Sequence, residues 1–282
     1  MMLNSPSHIH SLLDPARFMR YGSGPGGGAV ANSAEVQQFF ERLAPEPDTA
    51  LAADYAAFID GCVAAGIWDL IENVQALAVD HEGQAVVNLK SNTANGNPEY
   101  GLGGTLTWTA NRGYSSTGLA QYSTEFDPSA ASIFAQNSGF VGMYSLTSAQ
   151  VSQPAIYMGP SGSSTQNDKI ALYPKWSNNV IVGSIASSAA YASVNIGAAS
   201  SAGWMVLQRT LVSGPGAFEL RKDGDSLAFG SVVSAAYTSG EKVKLKCWHQ
   251  TAFFVAGGAL SEAQHDALWA LVVAFLTGRG AI

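Results

Sequence analysis

The sequence predicts a mainly β fold: a two-sheet antiparallel jelly-roll sandwich with an N-terminal arm and helices and a C-terminal helix. Three observations carry that prediction. Short apolar runs recur from about residue 86 to 258, each bounded by Gly, Asn, Ser or Pro, the spacing of a sandwich or jelly roll. One of them, Gly104 to Thr109, alternates as Gly-Thr-Leu-Thr-Trp-Thr, the period of a strand with one face buried. The chain then closes on a capped helical stripe after Ser261. At 282 residues, one large domain or two small ones fit the length.

Residues 1–35 read as an extended arm, because Pro6, Pro15 and the run from Gly22 to Gly28 oppose regular structure. The glycine run lacks the Gly-Lys-Ser/Thr ending of a phosphate loop and follows no strand. Residues 36–85 read as a helical docking segment. Val36, Phe39, Phe40 and Leu43 share one helical face, with Asn32 or Ser33 as cap and Pro45 and Pro47 as terminators. A second helix carries Leu51, Tyr55, Phe58, Ile59, Cys62 and Val63, and Gly66 closes it. From Trp68 to Lys90 a short helical turn and a strand at Ala85 to Leu89 are expected.

Residues 86–282 read as the jelly-roll domain. Strands are expected at Phe140 to Leu146, Ala155 to Met158, Lys169 to Tyr173, Val180 to Ile185, Gly203 to Arg209, Phe218 to Lys222, Ser226 to Phe229, Val243 to Trp248 and Ala252 to Ala256. Asp223-Gly224 between two of them is a tight hairpin turn, since both residues tolerate positive φ. No charge falls between Lys175 and Arg209, which suits strands of small side chains and a subunit contact. In the last helix Ser261 and Gln264 stand at capping-box spacing. Ala263, Ala267, Leu268, Leu271, Val272 and Phe275 form its apolar stripe.

Charged residues are 12% of the chain and the net charge is -7. That balance opposes a nucleic-acid surface, which needs clustered Lys and Arg. It suits an extracellular or virion protein, and the neutral surface favours self-association into a homo-oligomer. No run approaches a membrane span, and the first 20 residues lack a basic segment followed by an apolar run, so neither membrane insertion nor a secretion signal is expected. Cys62 and Cys247 are too few for a disulfide framework and are expected as buried free thiols.

Aromatic residues near strand ends and loops are the candidate ligand contacts, because sugars stack their C–H faces on such rings. Tyr100, Tyr114, Tyr122, Trp176 and Asn178 are the candidate binding residues, and Tyr144, Tyr173 and Tyr191 fall in similar places. Two other clusters are read as structural. Asp80-His81-Glu82 cannot aim three consecutive side chains at one ion. Cys247 and His249, at i and i+2, are expected as a packed core pair rather than a thiol–imidazole pair.

Several stretches together carry a resemblance. They are Trp108-Thr-Ala-Asn-Arg112-Gly113-Tyr114 with Gly118, Tyr122, Phe126 and Pro128, Gln208-Arg209-Thr210 leading into the Phe218 to Leu227 hairpin, Gly258-Ala-Leu-Ser261-Glu-Ala-Gln264, and Ala64-Ala-Gly-Ile-Trp68 through Val87-Asn-Leu-Lys90. Over about 60–282 the chain resembles concanavalin A-like, laminin-G-type jelly-roll domains of tailed-phage, prophage and phage-like particles. The resemblance implies a virion protein assembled in the host cytoplasm, with other virion proteins, further copies of itself and a host surface glycan as partners. A lectin-like surface appendage, a purely structural decoration or tail part, and a glycan-cleaving enzyme all remain open.

Hydrolases of this fold carry Glu-x-Asp-x-Glu or Glu-x-Asp-x-x-Glu on one strand. Glu125-Phe126-Asp127 begins that pattern, but Ser129 and Ala130 stand at the third positions, so no catalytic residue is assigned. No cofactor is expected other than calcium, which such domains bind through loop acids; Asp127, Asp168 and Asp223 are the candidates.

Overall fold

The structure, a computed structural model, describes residues 33–90, 95–99, 103–118, 120–148, 154–158, 170–176, 179–186, 192–195, 200–210, 217–231, 233–237 and 240–282. Its helices are α1 (Ala34–Phe40), α2 (Thr49–Ala64), α3 (Glu82–Ala85) and α4 (Glu262–Gly278). The strands are β1 (Ile71–Ala76), β2 (Asn97–Glu99), β3 (Leu106–Thr109), β4 (Gly113–Ser116), β5 (Gln121–Ser123), β6 (Gly139–Ser145), β7 (Ile156–Met158) and β8 (Ile170–Trp176). They continue with β9 (Val180–Ile185), β10 (Ala192–Asn195), β11 (Gly203–Arg209), β12 (Phe218–Lys222), β13 (Asp225–Gly230), β14 (Lys244–Leu245) and β15 (Thr251–Gly257).

The strands form two antiparallel sheets. Sheet A runs β13-β12-β11-β6-β15-β4-β3, with β1 also paired to β15; sheet B runs β10-β9-β8-β7-β14-β5-β2. The expected two-sheet sandwich is therefore present. Both sheets mix early and late strands: sheet B is complete only at β14 and sheet A only at β15.

Three layers result, because helices cover the outer face of sheet A. Phe253 of β15 packs against Phe58 of α2 at 5.3 Å and Phe275 of α4 at 5.9 Å. Alternation then turns Ala252, Phe254 and Ala256 toward sheet B. This double coverage explains why every residue of β11 and β15 is buried. It also suits the end of the charge-free stretch, because Gly203 to Gln208 of β11 are buried on both faces.

Across the sandwich, Leu207 of β11 fills the space above Gly183 of β9. Tyr114 of β4 and Tyr122 of β5 meet ring to ring at 4.9 Å. Arg209 is fully buried, donates from Nη1 to the Ile185 carbonyl at 3.0 Å and lies over the Phe218 ring. The carbonyl and the ring face both stabilise the buried guanidinium, whose desolvation lowers its pKa.

Residues 36–85 are not a segment apart. Their apolar side chains share one core with the sandwich, and β1 pairs with β15 along Ile71 to Ala76. The expected boundary near 85 is corrected accordingly. No strand forms at 85–89; β1 lies earlier, at Ile71–Ala76. Its polar Asn73 and Gln75 hid it, because both are buried and both donate to the Thr124 carbonyl, at 3.2 and 3.0 Å. The strand expected at 243–248 shortens to Lys244–Leu245.

The local signals at the ends of the chain are present. Ser33 caps α1 and Ser261 caps α4 in a reciprocal box with Gln264. Gly66 takes φ 63 just past α2, and Asp223 and Gly224 take φ 50 and 93 in the β12–β13 turn. Cys62 and Cys247 are buried free thiols, and burial pushes both up to about 12.

His265 of α4 is buried against Phe140 and meets Gln208 Oε1 through Nε2 at 2.9 Å. The same oxygen accepts the Leu260 N–H at 2.7 Å, while Gln208 Nε2 donates to the Leu260 carbonyl at 2.9 Å. Desolvation, helped by the Arg221 charge, lowers the His265 pKa to about 4. The unfolded chain binds this proton near pH 6.5. Stability from this site is complete above that value and is lost as pH falls toward about 4. The loss is about 3 kcal/mol by linkage. Denaturation at pH 7 and pH 4.5 should show it, and His265→Gln should flatten that part of the profile.

Candidate functional site

Among the described residues, a concavity lies where α4 crosses one end of sheet A. It is a cleft of about 380 Å³ lined by Tyr144, Ser145, Gly203, Asp223, Trp269 and Val273, and also by Leu146, Ala202 and Ile282. That volume is within the range of small-molecule sites.

Its walls come from separate stretches of chain, each held by identifiable contacts. The first is the β12–β13 turn. Asp223 donates its N–H to the Trp204 carbonyl at 2.9 Å and accepts the Trp204 N–H on Oδ1 at 2.8 Å. A side chain on Gly203 would collide with that carboxylate, so glycine lets β11 begin directly beneath it. Lys222 Nζ pairs with the other carboxylate oxygen. Asp223 is thereby an ordered acceptor whose side chain stays 39% exposed.

The second wall is α4. Arg221, buried beneath the same turn, grips Glu262 with both terminal nitrogens at 2.7 Å each and donates to the Gly224 carbonyl at 2.7 Å. This fork fixes the start of the helix on the hairpin. Seven residues on, close to two helical turns, Trp269 returns to the same hairpin. A Cβ on Gly224 would lie 3.1 Å from the Trp269 ring. Val273, at i+4 from Trp269, continues that face into the cleft.

The third wall is the end of β6. Tyr144 pairs across from Trp204 and Phe253. Gly142, two residues before it, leaves room for the Trp204 ring, which a Cβ there would meet at 2.8 Å. The Tyr144 hydroxyl is raised above the ordinary phenol range by desolvation and by the Asp223 charge. It therefore stays protonated at neutral pH and remains able to donate. The cleft joins two half-buried aromatic side chains and a carboxylate acceptor, whereas the Ser145 hydroxyl is buried and donates to the Thr147 carbonyl at 2.8 Å.

Of the residues singled out from sequence, Asp223 lies at this cleft, as a hydrogen-bond acceptor tied to Lys222 and Trp204. Tyr144, noted there as an aromatic near a strand end, lies at it too. Tyr114 and Tyr122 do not. Both are fully buried, stacked on each other between the sheets, and the Tyr114 hydroxyl donates to Glu82 at 3.1 Å. Their expected role in ligand binding is corrected, because no ligand reaches a ring enclosed by both sheets. Tyr173 is buried as well.

Tyr100, Asn178, Asp168 and Tyr191 lie outside the described residues, as does the side chain of Trp176. Asp127 binds two loops together. Oδ1 accepts from the Ser129 N–H at 2.9 Å and its hydroxyl at 2.6 Å; Oδ2 accepts the Gly240 N–H at 3.1 Å and pairs with Lys242 at 3.6 Å. Burial opposes its ionisation, but these contacts outweigh that and hold its pKa below the usual value. Glu125 sits at φ 56 outside any strand, so it shares no strand face with Asp127.

Among the described residues no group of three His, Cys, Asp or Glu side chains is placed to hold a metal. Asp80, His81 and Glu82 diverge to Arg279, the Gly83 N–H and Tyr114 respectively. His249 Nδ1 meets the Thr147 carbonyl at 3.1 Å, while the Cys247 thiol lies nearest the Leu245 carbonyl at 4.0 Å.

Trp269 was not found from sequence. It falls beside the buried stripe of α4 rather than on it. A large aromatic off the apolar stripe was the available signal.

No protein-family profile and no curated protein matches the chain. Two solved structures resemble it distantly. One is domain 4 of AbnA, a GH43 extracellular arabinanase from Geobacillus stearothermophilus, in complex with arabinotriose. It has a TM-score of 0.45 and 12% identity over 70% of this chain and 100% of that one. The other is the binding domain of Botulinum Neurotoxin DC in complex with SialylT. It has a TM-score of 0.37 and 10% identity over 71% of this chain and 51% of that one. At such scores no ligand or binding residue transfers from either to this chain.

Proposed function

We propose that this chain is a carbohydrate-binding sandwich that takes a sugar in the cleft between α4 and sheet A. One observation carries the reading: Tyr144 and Trp269 enter the same concavity as the ordered carboxylate of Asp223. Sugars offer apolar C–H faces to aromatic rings and hydroxyls to fixed acceptors, and the cleft provides both. Glycan-array binding of the full chain tests this, with calcium and with a chelator. Saturable binding to a defined sugar is expected. A folded sample that binds nothing overturns the reading. A strict calcium requirement would favour a sugar bridged by metal over one held directly by Asp223.

The proposed setting is the surface of a phage or phage-like virion, where the chain acts as a homo-oligomeric appendage. Its support is the resemblance over 60–282 and the low charge of the sequence. Mass spectrometry of purified particles should recover the chain, and its absence from them would overturn this setting.

A further inference from the structure

We infer that the cleft selects uncharged, hydroxyl-rich sugars over acidic ones, with Asp223 as the residue that sets the preference. The inference rests on the carbohydrate reading and specifies its ligand class.

The lining supplies one ionised side chain, and it is an anion. Among the described residues that line the cleft, Asp223 and Tyr144 carry the ionisable side chains, and Tyr144 is held protonated. Among the described residues no cationic side chain lines the cleft. Two cations flank the turn: Lys222 is paired with Asp223 Oδ2, and Arg221 is taken up by Glu262 and the Gly224 carbonyl. A sugar carboxylate entering the cleft would lose water without gaining a positive partner. It would also face the Asp223 carboxylate across a short, partly desolvated gap.

A neutral sugar meets the opposite situation. Its hydroxyls donate to Asp223, and a donor paired with an ionised acceptor gives the stronger class of hydrogen bond. The carboxylate is already oriented by the Trp204 N–H, so little freedom is lost on binding.

Asp223→Asn isolates this role. Asparagine tolerates the φ of 50 found here, and its side-chain oxygen can still accept the Trp204 N–H. The substitution removes the negative charge and releases Lys222, so the variant should lose neutral sugars and gain acidic ones.

The probes are matched oligosaccharides of glucose, galactose and mannose and their counterparts with a terminal uronic acid, titrated calorimetrically against the full chain. For the natural sequence, at least about tenfold tighter binding of the neutral member of a pair is expected. For Asp223→Asn, that ratio should shrink about tenfold or invert, with the melting temperature close to the parent's. Equal or tighter binding of the uronic member overturns the inference while leaving the carbohydrate reading in place. A ratio unchanged by Asp223→Asn overturns the role of Asp223. Failure of every neutral and acidic probe on folded protein overturns both the inference and the reading beneath it.

Discussion

Trp269→Ala removes carbohydrate binding while the sandwich stays folded. The ring forms one wall of the cleft and rests along the Asp223-Gly224 turn. It is half-buried and lies beside the stripe made by His265, Leu268, Val272, Phe275 and Leu276. Truncating it therefore strips the cleft of an aromatic wall, and because the ring also packs against the core and the hairpin, a modest loss of stability accompanies the loss of binding. A central aromatic anchor lost from a binding site costs about 2 kcal/mol or more, about a thirtyfold loss of affinity. Calorimetric titration of the best array sugar measures the loss, and far-UV circular dichroism reports the fold. Affinity within about threefold of the parent would remove Trp269 from the site and with it the stacking argument.

Phe253→Ala has the largest expected effect on stability. Phe253 is fully buried where α2 and α4 both meet sheet A, against Phe58 and Phe275. Removing such a ring costs about 3–5 kcal/mol, because the transfer energy is lost and the surrounding rings cannot collapse into the space. That is a large fraction of the roughly 5–15 kcal/mol of a typical domain. Equilibrium denaturation should show a transition displaced by this amount. Phe229→Ala is the control: Phe229 is 62% exposed on β13, and its loss should fall within about 0.5 kcal/mol. Similar effects from both would contradict the three-layer arrangement.

The elements legible in the sequence are those specified by residues close together in the chain. Ser261 and Gln264 stand three apart and bond reciprocally at the start of α4. Asp223-Gly224 adopts the two positive φ values that a tight hairpin needs. β9, β11 and β12 begin and end where their apolar runs do. In each case backbone geometry or side-chain period is written within a few residues, and no distant partner is needed to read it.

Other features became visible only when distant segments met. β1 shows no clean alternation, because Asn73 and Gln75 are buried and satisfied by the carbonyl of Thr124, about fifty positions along. Tyr114 and Tyr122 look like exposed aromatics near loops, yet each is enclosed by the opposite sheet.

The cleft follows the same rule. Tyr144, Asp223 and Trp269 come from β6, the β12–β13 turn and α4, and Arg221 sets their relative placement by clamping Glu262 to the hairpin. The sequence by itself determined the class of fold, its turns and its caps, since those arise from local dihedral preference and the period of apolar side chains. Tertiary structure alone decided which aromatics are core and which line a cleft. Burial is set by whatever packs on a residue from elsewhere in the chain, and no local pattern encodes it.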